Sequence, residues 1–322
     1  MYKILLLLLV APFGCLAANS PDISTADIDQ FWSAYDQLAS AKSRQDSIRI
    51  IQEQYLDRAT DHMKKFVKLR DFTAEKYADL ILHYPGFWKS IRPLTETIKW
   101  RKNEINSILD QLALLLPNFR RPDVCFGIGC LQSGGTTSKN LILIGSEIAA
   151  ADATVDTSGL NPWLRSVLGN TGDIVAMVAH EAVHTQQSGI PLYEIFTLIK
   201  HRKLRLLNMC VIEGSADFVT LRFLNLNINS RTHTYGNLHR CELSHEFENT
   251  IDHDPFNYSG WLYNGLNSAG RPADLGYFVG CEISARYYDR SENKEKALST
   301  LLRRGKYKKV YRNSGYGQHD CS

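Results

Sequence analysis

From Ser24 onward, Ile28, Phe31, Trp32, Tyr35 and Leu38 recur at the spacing that lines one face of a helix, and Asp27, three residues after Ser24, completes a capping-box variant. The pattern predicts an amphipathic helix there. A second helical stretch follows through Ile48, Ile51, Tyr55 and Leu56 to about Leu69, and a third runs from Thr73 to His83, where Pro85 and Gly86 stop it. A fourth, long helix is expected from Phe87 to Leu116, with Pro93 tolerated near its start and Pro117 at its end. The pattern then changes. Val124 to Ile128 and Leu141 to Ile144 are short apolar runs separated by Gly134-Gly135, as in paired strands. Beyond the loop marked by Asn161-Pro162, Gly169 and Gly172, Asp173 is placed to cap an apolar helix that Gly189 and Pro191 end. These elements predict an α+β chain, predominantly helical, with a small sheet and an N-terminal helical region. The expected division is a leader over 1–17, helices over 18–120 and a region carrying the chemistry over 121–322, with the last two forming one unit.

Composition narrows the class. The 322 residues are 44% hydrophobic and 22% charged, which excludes a disordered, collagenous or coiled-coil chain. Lys and Arg number 37 against 34 Asp and Glu, a balance of +3 that is too mild for an electrostatic nucleic-acid groove. The basic stretch from Arg303 to Arg312 reads as a solvated face. At the start, Lys3, the run Ile4 to Val10 and the small residues Gly14, Ala17 and Ala18 have the grammar of an export signal. Cleavage after Ala17 gives soluble export to the periplasm or medium. Cleavage before Cys15 gives a lipoprotein, the one route by which a membrane becomes a partner. The mature chain keeps Cys125, Cys130, Cys210, Cys241, Cys281 and Cys321, which in an oxidising compartment predicts disulfides, Cys125 and Cys130 being close enough to close a local loop.

The chemistry is concentrated at His180-Glu181-Ala182-Val183-His184. Residues at i and i+4 share a helix face, so both imidazoles can meet one Zn²⁺ while Glu181 reaches its water. Chance gives this pattern in roughly one chain in a hundred of this composition. Two histidines in an otherwise apolar helix also carry a desolvation cost that a metal or hydrogen bonds must offset. A catalytic zinc needs a third protein ligand. Glu213 answers it from a second helical run continuing to about Asn227, and Asp217, again at i+4, suits a carboxylate that orients a ligand ring. The segment Ser244-His245-Glu246-Phe247 is a superficial copy, since Asn249 stands where a second histidine would fall.

The HExxH helix, the following Glu213-Gly214-Ser215-Ala216-Asp217 and the segment Asp274-Leu275-Gly276-Tyr277-Phe278-Val279-Gly280 resemble the predicted zinc-dependent proteases of gluzincin type. More narrowly, the chain is similar to an uncharacterised bacterial family related to the gliding-motility lipoprotein B group, a likeness that extends to Ile51 to Leu56 and to Lys296 to Leu302. The resemblance implies a zincin-like metalloprotease fold with His180, His184 and Glu213 as metal ligands. It also makes Tyr277 the candidate donor to the oxyanion, with His253 and Arg286 in reserve.

The expected activity is peptide hydrolysis of a peptide or protein substrate, with Zn²⁺ polarising the carbonyl and Glu181 as general base. By analogy, the strand Leu141 to Ile144 is expected either to pair with extended substrate at an edge or to be buried as a central strand. The same constellation suits hydrolysis of cell-wall peptides or amides. A different class, an exported or lipid-anchored scaffold with a vestigial or structural zinc site, leaves Glu181 without a task. Oligomeric state has no signature in the sequence.

Overall fold

Interlocking aromatic rings organise the first half of the chain. The computed structural model describes residues 22–168, 173–188, 204–268 and 270–317. Within them Phe31, Trp32, Tyr55, Tyr77 and Trp88 are buried and meet at ring-centroid separations of 4.9 to 6.4 Å, mostly edge to face. Such pairs contribute about 0.5–1.5 kcal/mol each beyond the area they bury. Phe31 and Trp32 lie on α1 (Ala26–Gln37), which follows β1 (Ile23–Ser24); Tyr55 lies on the turn between α2 (Arg44–Ile51) and α3 (Asp61–Arg70), Tyr77 on α4 (Ala74–His83) and Trp88 on α5 (Pro85–Glu96).

Several boundaries differ from the periodicity. The capping box is not formed. Ser24 is committed to β1, Thr25 stands at the N-cap without a side-chain bond, and Asp27 is buried, accepting hydrogen bonds from Thr60 N (2.8 Å) and Oγ1 (2.6 Å). The stretch through Leu69 divides into α2, a π-helical turn at Gln52–Leu56 and α3. That wider turn carries Tyr55 to the end of the sheet, where its hydroxyl and that of Tyr77 both reach the Ile128 carbonyl. Pro85 does end α4, but it also begins α5, a position where its missing N–H costs nothing. The expected long helix is α5, a 3₁₀ turn at Thr97–Arg101 and α6 (Lys102–Leu115), because Pro93 lies inside α5 and removes a donor just before the break.

The sheet contains β2 (Asp123–Gly127), β3 (Gly135–Ser138) and β4 (Leu141–Gly145) in the order β1-β2-β4-β3. β1, β2 and β4 run parallel, and β3 is antiparallel to β4. Every residue of β4 is buried, as in a strand covered on both faces. Leu141 to Ile144 therefore takes an interior position, and among the described residues half-buried β3 forms the edge on this side.

After α7 (Ser146–Ala149) and α8 (Pro162–Val167), α9 (Ile174–Gln186) lies against β3, β4 and α6. The remaining α-helices of the described residues are α10 (Arg205–Leu224), α11 (Ser230–Leu238), α12 (Arg240–His253), α13 (Gly276–Arg290), α14 (Lys294–Leu301) and α15 (Tyr307–Ser314). α10 stops short of Asn227 because Asn225 turns left-handed at φ 56°. One buried cluster of side chains runs through the molecule from Ile23 to Tyr316. Among the described residues no helix is long and apolar enough to cross a membrane. The leader with Cys15, and Gly169, Gly172, Gly189, Pro191 and Cys321, lie outside them.

The expected local bridge is absent. Cys125 and Cys130 are free and buried, as are Cys210 and Cys281, while Cys241 is disulfide-bonded. Cys125 Sγ faces Asp27 from β2 at 3.7 Å, whereas Cys130 lies against Tyr77, and burial pushes both thiols up.

Backbone contact sets the crossing of α10 and α13. A Cβ on Gly280 would collide with the Cys210 carbonyl, and one on Gly214 with Gly280 and the Cys281 nitrogen. Gly280→Ala is therefore expected to destabilise by about 2 kcal/mol or more, since one backbone must retreat from the other. Gly260→Ala, at a position with nothing within 4 Å, should stay within about 0.5 kcal/mol of the parent. Urea denaturation of both variants checks the contrast.

Candidate metal centre

Asp173 starts α9 by accepting a hydrogen bond from Val175 N at 3.3 Å, and every residue from Ile174 to Val183 is buried. An apolar helix pressed between sheet and helices thus takes His180 and His184 out of water. α10 brings Glu213 and Asp217, one turn apart, to the same place. His180 Nε2 lies 2.9 Å from His184 Nε2, and Glu213 Oε2 lies 3.0 Å from His184 Nε2 and 3.6 Å from His180 Nε2. These three are the described group whose ligand atoms all fall within 4.8 Å of one another.

The surrounding hydrogen bonds fix where the imidazole protons reside. Gln187 donates through Nε2 to Ile212 O (2.7 Å) and Ser215 Oγ (3.0 Å), so the atom it presents to His184 Nδ1, at 3.0 Å, is its acceptor oxygen. His184 Nδ1 carries the proton and its Nε2 is left with a lone pair. On His180, Nδ1 lies 2.9 Å from Asp217 Oδ1 in a short but bent contact. Asp217 is itself held by Asn229 Nδ2 (3.1 and 2.9 Å) and His233 Nε2 (3.0 Å). Burial would raise this carboxyl, but the contacts from His180 and His233 outweigh it and hold it down at about 2.

Two imidazole lone pairs and a carboxylate consequently converge with no donor among them. Without a cation such a set repels itself or takes up protons. Burial would push His180 down, yet Asp217 and Glu213 raise it to about 10, and Glu213 is held well below the ordinary carboxylate range, against its burial, by His184 and His180. The pocket is built for positive charge. Zinc binds such nitrogen and oxygen donors at about 2.0–2.2 Å, which sets tetrahedral ligand edges of about 3.3 Å, and the separations here fall on either side of that length. The residues fit the metal.

Glu181 lines a cleft of about 280 Å³ that His180 also lines, walled further by Gln132, Ser133, Gly134 and Gly135. It is buried, its carboxyl is raised by that burial, and no donor among the described residues reaches it. Gly135 on β3 is pressed so closely against it that a Cβ there would strike the carboxylate. Tyr277 also lines the cleft, its ring centroid 6.1 Å from that of His180. The reserves are elsewhere. His253 is exposed and bonded to the Asn249 carbonyl of its own helix, and Arg286 lies over Tyr316 beside Glu282. In the HExxH-like copy, Glu246 pairs with Arg271.

No family model, curated protein or solved structure matches this chain.

Four supporting residues escape a reading of the sequence. Tyr263 donates from its hydroxyl to Glu213 Oε1 at 2.7 Å, from a left-handed backbone at φ 55° pinned by Asp274 Oδ1 on its N–H. It arrives on a loop with no periodicity, and Asn229 and His233 likewise arrive through tertiary structure. Gln187 had a usable signal, lying three residues after His184.

The wall of the cleft hangs on a buried acid. Glu147 accepts from Gly129 N and Leu131 N at 2.8–2.9 Å, and burial outweighs these bonds to raise its pKa to about 7. A carboxyl raised on folding is protonated in both states below about 4.5, and the folded state loses stability as pH rises from there through about 7. The shift corresponds to roughly 3 kcal/mol at most. Thermal denaturation from pH 4.5 to 8 should show this decline in the parent relative to Glu147→Gln; parallel curves would refute the assignment.

The proton assignment generates a second expectation. Asp217→Ala and Gln187→Leu each remove the group that fixes a ring proton, so zinc affinity should fall by roughly 10 to 100-fold in each, with the fold retained. Zinc titration against a competing chelator measures it.

Proposed function

We propose that the chain is an exported zinc-dependent peptidase of gluzincin type with a zincin-like fold, hydrolysing peptide bonds with Glu181 as general base. The observation that carries the reading is the convergence of His180, His184 and Glu213 as three acceptors, with an unpartnered carboxylate on the same helix facing a cleft. A structural site has no use for that carboxylate, whose burial without a partner is costly.

A zinc ion bound by the three residues supplies Lewis acidity, drawing electron density from a carbonyl oxygen and lowering the pKa of water towards about 7. The remaining work falls to the chain. Glu181 takes a proton from water and returns it to the departing amine, a role in which a raised pKa brings acid and base forms closer in free energy. Asp217 and Gln187 keep the histidine protons on the Nδ1 atoms, so both Nε2 lone pairs stay directed inward. Tyr263 holds Glu213 by its second oxygen. Tyr277 is at the cleft with its hydroxyl engaged by no described residue, which suits a donor to developing negative charge. Extended substrate has an edge to pair with in β3, whose Gly135 leaves the backbone bare beside Glu181.

Glu181→Gln tests the assignment. The amide keeps size and packing but cannot accept the proton, so zinc binding should remain at the parent level while turnover of an unstructured protein falls by about 10² to 10⁴-fold. A variant as active as the parent would remove Glu181 from the chemistry.

A further inference from the structure

The cleft that receives Glu181 also receives a guanidinium with unused donors. Arg231, at the start of α11, lines it together with Ser166, Trp163 and Tyr277. Arg231 is about half buried, and its one hydrogen bond among the described residues runs from Nη1 to Ser166 Oγ at 2.7 Å. A guanidinium carries five N–H donors in a planar fork. No carboxylate of the described residues lies within ion-pairing distance of it. Asp274 acts on it only at longer range, and the Asp274 carboxylate is engaged by Tyr263 N at 2.6 Å.

Three arginines elsewhere in the fold show the usual arrangement. Arg92 pairs with Asp36 and Glu96, Arg101 with Glu104 and Asp173, and Arg271 with Glu246, each forking a carboxylate. A charge that is partly desolvated and lacks such a partner recovers its lost hydration when a carboxylate arrives from outside, best through two parallel N–H···O bonds. The second guanidinium of the cleft, exposed Arg70, adds positive potential at the rim. The space is at the small end of ligand pockets, so a group bound to Arg231 lies within a residue or so of the bond facing Glu181.

We propose that Arg231 is a specificity-determining residue that binds a carboxylate carried by the substrate close to the scissile bond. This rests on the peptidase reading of the neighbouring centre and narrows its substrates to acidic ones. Two sources supply the same group: the free C-terminus of a peptide, or the side chain of an internal glutamate or aspartate. Arg231 touches substrate without taking part in bond cleavage.

The test uses zinc-loaded full-length protein and acetylated pentapeptides. One pair differs only in a free or amidated C-terminus; the other, amidated throughout, differs only in a central glutamate or glutamine. Expected is a preference of about 10 to 100-fold in kcat/KM for the acidic member of one pair, expressed mainly in KM, which tells terminal from side-chain recognition. In Arg231→Met the preference should fall towards one, and Arg231→Lys should retain part of it. Calorimetric binding of the same peptides to the Glu181→Gln protein provides a readout without turnover, and the same discrimination should appear there. Binding that discriminates through Arg231 with no cleavage by the parent would uphold the carboxylate site and sink the peptidase. Cleavage by the parent with no acidic preference in either pair would uphold the peptidase and overturn the site. An acidic preference that survives in folded Arg231→Met would also overturn it.

Discussion

Three electron-rich groups, two imidazole nitrogens and a carboxylate, are forced together in a place from which water is largely excluded. Left alone they repel one another, and in low dielectric that repulsion is poorly screened. Much of the second half of the molecule serves to hold them there. α9 is apolar along its buried length, so it docks against sheet and helices with His180 and His184 turned to the same side. α10 closes the group with Glu213, and its depth is set by backbone contact with α13 at Gly214 and Gly280. A cation between the three acceptors converts the repulsion into binding energy and expels the protons that otherwise collect there.

The same constraint orders the polar groups behind the centre. Each histidine has one nitrogen committed outward, to Asp217 on α10 or to Gln187 just past the end of α9. Those partners are secured in turn: Asp217 by Asn229 and His233, Gln187 by Ile212 and Ser215. Buried polar networks of this kind stabilise when their members are paired, and behind the centre the His180 Nδ1 contact with Asp217, short but bent, is the member that falls short of hydrogen-bond geometry.

The site was legible in the sequence where its members are local. His180, Glu181 and His184 share one helix turn, and Glu213 and Asp217 repeat that spacing on a second helix, so periodicity alone grouped each set. What joins the sets is tertiary. Tyr263, Asn229 and His233 reach the centre from a loop and a third helix, and nothing in their local sequence marks the destination. The fold was legible to a similar depth. Helix content and the apolar strands followed from patterning, but the boundaries moved where long-range contacts prevailed, as when Asp27 left its expected cap for Thr60. The cysteines teach a related lesson: Cys125 is fixed by β2 and Cys130 by its turn against Tyr77, so nearness in sequence did not become a bridge.

The centre can be read directly by zinc K-edge X-ray absorption on the zinc-loaded protein. Expected is about one zinc per chain with only nitrogen and oxygen neighbours at about 2.0–2.2 Å, and an imidazole scattering pattern for two rings that is lost in a His180→Ala, His184→Ala double variant. A sulfur shell at about 2.3 Å, which would bring Cys210 or Cys281 into the coordination sphere, or an unchanged spectrum in the double variant, would contradict it.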